Sequence, residues 1–116
     1  YATLTYGTDD PVYGKEMDEK IISGVIANPR VMRSMPRMFH RSGLELQKSL
    51  GWVLTEIGNA DFFLSSLDSF PALLPNAGVA TLEETQEFVA DQRKAHDEGT
   101  FFSGYNFYAM IAQKGK

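Results

Sequence analysis

The stretch Phe101-Phe102-Ser103-Gly104-Tyr105-Asn106-Phe107-Tyr108-Ala109-Met110-Ile111-Ala112 decides the architecture. Phe101, Tyr105, Phe107, Ala109 and Ile111 fall on one alternation, and Phe102, Tyr108, Met110 and Ala112 on the other. A strand apolar on both alternations reads as one covered on both faces and seldom as an edge. Residues 101–114 are therefore placed in the middle of a sheet, between the two other strand candidates.

The first of these is Tyr1-Ala2-Thr3-Leu4-Thr5-Tyr6, rich in aromatic and β-branched residues and closed by the turn chemistry of Gly7-Thr8-Asp9-Asp10. The second runs from Leu44 to about Ile57. There Leu44, Leu46, Leu50, Trp52 and Leu54 share the even positions, which predicts a long half-buried strand. Helices fill the intervals. Asp10-Pro11 pairs a carboxylate N-cap with a proline that needs no N–H, and Met17, Ile21, Ile22, Val25 and Ile26 carry the helical period to about Ala27. From Pro29 to Arg41 a buried stripe of Val31, Met32, Met35, Met38 and Phe39 is expected, with a break or kink at Pro36. An apolar helix from Phe62, interrupted at Pro71, ends at Asn76-Ala77-Gly78. Thr81-Leu82-Glu83-Glu84 is a capping box that opens a surface helix to Glu98, with Leu82, Phe88, Val89 and Ala95 inward.

The 116 residues fit a single domain spanning 1–116, with no repeat, linker or low-complexity tract. No apolar run approaches the roughly 20 residues of a membrane helix, so no membrane partner is expected. Eleven basic against fifteen acidic residues, net charge −4, argue against nucleic-acid binding, which needs a basic face. With no cysteine there is no disulfide, thiolate metal site or cysteine nucleophile, and a cytoplasmic location is expected. The sequence opens at Tyr1 without an initiator methionine, which reads as a trimmed chain or a start further upstream.

Chemistry is sparse. Neither a G-x-G-x-x-G nor a G-x-x-x-x-G-K-[ST] loop occurs, so the ten glycines read as turns and caps. His40 and His96 stand apart near helix C-termini, where a solvated imidazolium suits the macrodipole better than a metal site. No G-x-S-x-G elbow supports a catalytic serine. Asp9 and Asp61, each at a strand-to-helix junction, read either as turn or cap residues or as substrate contacts.

Thr81-Leu82-Glu83-Glu84, Asp91-Gln92-Arg93 and Glu98-Gly99-Thr100-Phe101-Phe102 together resemble the end of a class I S-adenosylmethionine-dependent methyltransferase. Tyr1-Ala2-Thr3-Leu4 with Asp9-Asp10-Pro11, and Pro36-Arg37-Met38-Phe39 through Gly43-Leu44, resemble earlier parts of the same C-terminal half. The resemblance implies an α/β, Rossmann-like fold, α+β for the chain alone. Its three-stranded mixed sheet would have the last strand central and antiparallel, with helices around it. It also implies S-adenosylmethionine as the parent family's cofactor. The glycine-rich cofactor loop is missing, so no cofactor, cofactor-binding residue, metal or catalytic residue is assigned here.

Ligands of open α/β sheets sit beyond the carboxyl ends of parallel strands. That geometry nominates Tyr6, Asp9, Asp61, Phe63, Phe102 and Tyr105 as a substrate wall where three junctions meet. The leading expectation is the substrate-side segment of a small-molecule methyltransferase, inactive without its other half. The alternative is a stand-alone, non-catalytic α+β domain that binds a small molecule or forms a homodimer through an exposed sheet edge.

Overall fold

A computed structural model describes residues 1–115. The elements in order are β1 (Thr5–Tyr6), α1 (Pro11–Val25), α2 (Val31–Arg41), β2 (Leu44–Gly58), α3 (Phe62–Asn76), α4 (Leu82–Glu98) and β3 (Phe101–Lys114). The sheet order is β1-β3-β2, and β3 runs antiparallel to both neighbours. Every adjacent pair is antiparallel, so this is an α+β fold with helices flanking an open antiparallel sheet. The expected Rossmann-like methyltransferase fold is thereby corrected. β1 and β2 share a direction but never touch, and the adjacent parallel strands that define that fold do not occur among the described residues.

Most of the sheet is a two-stranded ribbon. β1 pairs only Thr5 with Gly104 and Tyr6 with Ser103, because the chain before it bends into a turn. Leu4 N–H donates to the Tyr1 carbonyl at 3.0 Å and Asn106 N–H donates to the Thr3 hydroxyl, while the outward Tyr6 N–H donates to the Asp18 carboxylate at 3.0 Å. β2 and β3 pair from Gly58–Phe101 out to Leu44–Lys114. The radius of gyration is 17.0 Å and the extents are 54 × 30 × 23 Å, against about 13 Å for a compact domain of this length. The ribbon is an arm that leaves a helical body.

A bulge at Gln47 changes the reading of β2. Leu46 faces Ala112 and Lys48 faces Ile111, leaving Gln47 without a partner. Directly opposed residues share a face. Leu44 and Leu46 therefore sit with Ala112, on the face opposite to Leu50, Trp52 and Leu54. The even-position stripe is split, and β2 is mostly exposed rather than half-buried. β3 is buried only at Phe101, Ser103, Gly104 and Tyr105; Phe102, Phe107, Tyr108 and Ile111 face solvent.

The core lies between the body end of the sheet and three helices. Met17 and Ile21 of α1, Phe63, Leu67 and Leu74 of α3, and Phe88 of α4 close on Tyr6, Phe101 and Tyr105. The Tyr6 ring is edge-on to Phe63, Phe70, Phe88 and Phe101, at centroid distances of 5.5–6.3 Å, a geometry favoured by aromatic quadrupoles. α4 turns Thr85 and Gln92 inward with Phe88, while Leu82 stays exposed, contrary to the expected stripe. Gln92 ties α4 to the strand end by donating to the Gly7 carbonyl at 2.8 Å. α2 runs unbroken through Pro36 and buries no residue; α3 likewise carries Pro71 and Pro75 inside one helix.

Candidate functional site

The six nominated wall residues do not form one wall. Tyr6, Phe63 and Tyr105 do come together, lining a cavity of about 220 Å³ with Leu4, Ile21 and Phe70. Asp9 lines a separate hollow with Asp91, Lys94 and Glu98. Phe102 is exposed on the opposite face of the sheet from Tyr105, one alternation away. Asp61 begins α3 but caps nothing with its side chain. That task falls to Glu56, whose carboxylate accepts from the backbone N–H groups of Asp61, Phe62 and Phe63 at 2.8–3.0 Å.

His96 is a structural residue rather than a freely solvated side chain. Its Nδ1 accepts from the Ala60 N–H at 2.9 Å, so the ring proton of that tautomer sits on Nε2. Among the described residues no three His, Cys, Asp or Glu side chains gather as a metal site. Burial raises the Tyr6 phenol, and burial followed by the neighbouring Tyr1 hydroxyl pushes Tyr105 up to about 12. Both are protonated across the neutral range, so neither supplies a base.

A larger concavity lies elsewhere, where the N-terminal segment and the α1–α2 turn meet the middle of β3. Its volume is about 450 Å³, and Tyr1, Asn28, Arg30, Arg33, Tyr105 and Phe107 are among its lining residues. Two backbone contacts hold the N-terminal side in place. Ala2 N–H donates to the Pro29 carbonyl at 3.2 Å, and Asn106 N–H donates to the Thr3 hydroxyl at 2.7 Å. Tyr1 stacks on Tyr105 at 4.8 Å and 29°, and this pair borders both the cleft and the smaller aromatic cavity. Phe107 lies 4.6 Å from Trp52 across the ribbon.

Arg30 and Arg33 bring positive charge to this aromatic floor. Three ion pairs occur among the described residues, Lys20–Glu84, Arg93–Asp68 and Lys94–Glu98, and none involves these arginines. The sequence carries the signal. Residues 27–44 hold four of the five arginines and no acidic residue, in a chain of net charge −4. Arg33, Arg37 and Arg41 recur every four residues along one side of α2. The Met and Phe positions of this helix, expected as a buried stripe, include no buried residue, and its arginines are what distinguish it.

The cleft holds aromatic surface and guanidinium donors but no nucleophile–base pair, and no cradle for S-adenosylmethionine occurs among the described residues. The expectation of a methyltransferase segment, with that cofactor in its parent family, is overturned by the antiparallel sheet. Comparison with known protein families, characterised proteins and solved structures finds no match.

Proposed function

We propose that the chain is a non-catalytic binding domain whose cleft takes a planar, anionic small molecule. The observation that carries this reading is the pairing of the Tyr1–Tyr105 stack and Phe107 with two arginines that form no ion pair among the described residues. A volume of about 450 Å³ matches the size of ordinary ligand pockets. Guanidinium groups recognise carboxylate or phosphate oxygens through paired N–H donors, and aromatic faces accept a flat ring.

Calorimetric titration with 1-naphthyl phosphate, and with 1-naphthol as its uncharged counterpart, tests this. The phosphate binds, the phenol binds much more weakly, and Arg33→Ala weakens the phosphate about tenfold, as loss of a charge-assisted hydrogen bond does. Equal binding of the two probes, or an unchanged affinity in Arg30→Ala/Arg33→Ala, overturns the reading.

A further inference from the structure

β2 is an unusual edge. It has 15 residues, no proline, and exposure along nearly its whole length. Natural edges of that kind are normally shortened, charged or covered, because they offer a row of free donors and acceptors. Which groups are free follows from the ladder. The Phe102 carbonyl accepts from Gly7 on the β1 side, so backbone alternation aims Ser103 at β2 and its partner Glu56 at β3. Along β2 from Lys48 onward, the even residues then bond inward. Ser49, Gly51, Val53 and Thr55 present their N–H and C=O groups outward.

We infer that this edge pairs with the same edge of a second copy, antiparallel about a two-fold axis at Trp52. In that register Gly51 and Val53 exchange backbone hydrogen bonds with Val53 and Gly51 of the second copy, outward group to outward group. Leu50 faces Leu54, and Trp52 faces its own image. Lys48 faces Glu56, whose carboxylate is already fixed by the first N–H groups of α3. The strand is thus self-complementary in charge as well as shape, as an isologous interface requires. Neighbouring registers lose this match: centring on Gly51 sets Lys48 against Leu54, and moving the axis to Lys48 sets lysine against lysine. The product is a six-stranded sheet, which supports the ribbon where two strands alone are marginal.

The test uses the full chain. Sedimentation equilibrium in the micromolar range gives a mass twice the 12.9 kDa of one chain. Val53→Pro removes an outward N–H while sparing the β3 ladder, and returns the protein to single-chain mass with unchanged circular dichroism. Lys48→Glu opposes like charges at two symmetric positions and weakens association about tenfold. The chain has no cysteine, so single thiols report the register. Trp52→Cys places two sulfurs at a non-hydrogen-bonded pair, about 4.5 Å between Cα atoms, and cross-links on mild oxidation. Ser49→Cys leaves its two thiols about 20 Å apart and stays uncoupled. A wild-type chain that remains at single-chain mass overturns the proposal. So does a dimer in which Ser49→Cys couples as fast as Trp52→Cys, or one that Val53→Pro leaves intact.

Discussion

Glu56 Oε1 lies 2.8 Å from the backbone nitrogen of Phe63, so a strand residue caps a helix that begins several positions later in the chain. The same carboxylate also takes the N–H groups of Asp61 and Phe62, binding the end of β2 to the start of α3. Burial alone would raise this carboxyl. The three backbone donors together outweigh it and hold the group below its ordinary range.

Glu56→Gln is expected to cost about 1 kcal/mol at neutral pH, the usual worth of a lost charged cap. The folded carboxyl is the stronger acid, so its contribution is complete above the unfolded pKa and fades as pH falls through the folded one. Urea unfolding of wild type and variant should therefore converge at acid pH. A gap that persists unchanged at pH 3 would contradict the capping role.

Asp18 behaves in the opposite sense. Burial pushes its carboxyl up to about 6, against the pull of the Tyr6 N–H. A raised folded pKa means stability that is complete below the unfolded value near 3.8 and is lost as pH climbs through 6. Asp18→Asn keeps an acceptor for Tyr6 without the charge. It should stabilise the fold by about 1 kcal/mol at pH 7, less than the full shift implies because the site is half-exposed and solvent screens it. At pH 4 the gain should vanish, and equal gains at both pH values would show that charge is not the cause.

Gly14 is set into α1 against Thr8. A Cβ at Gly14 would stand 2.4 Å from the Thr8 Oγ1 and 3.4 Å from its methyl carbon. Turning Thr8 so that its Cβ hydrogen faces Gly14 would give up the hydroxyl's hydrogen bond to the Asp10 carbonyl at 2.6 Å. Gly14→Ala should therefore lower the thermal midpoint despite alanine's better helix propensity. Thr8→Ala/Gly14→Ala should recover much of the loss, and the double-mutant cycle measures the clash directly.

The elements were readable because their signals are local. Asp10 accepts from the N–H groups of Val12 and Tyr13, and Thr81 exchanges hydrogen bonds with Glu84, each as its spacing demands. What was not readable depends on distance or on a single inserted residue. β1 shrinks to two residues because Leu4 N–H turns back to the Tyr1 carbonyl and the Asn106 N–H, 103 positions from Thr3, donates to the Thr3 hydroxyl. The apolar alternation of β3 promised cover on both faces, yet the arm beyond Tyr105 is open. Composition gives the hydrophobicity of a strand and says nothing of what lies against it. Of the nominated wall, Tyr6, Phe63 and Tyr105 converge because all three are core aromatics. The cleft itself is made by Tyr1 and the α1–α2 turn, which no motif marks and only the run of arginines betrays.

The unpaired Gln47 has a consequence for how this chain tolerates change. On the tip side of that residue every side chain points the way its numbering would forbid on the body side. Losing the Gln47 codon would remove the bulge yet leave Leu46 opposite Ala112 and Lys48 opposite Ile111, so both faces of the arm would keep their side chains. A one-residue deletion on the body side of Gln47 would turn the neighbouring stretch over to the other face, so the bulge is where the arm takes up a change of length without exchanging its surfaces.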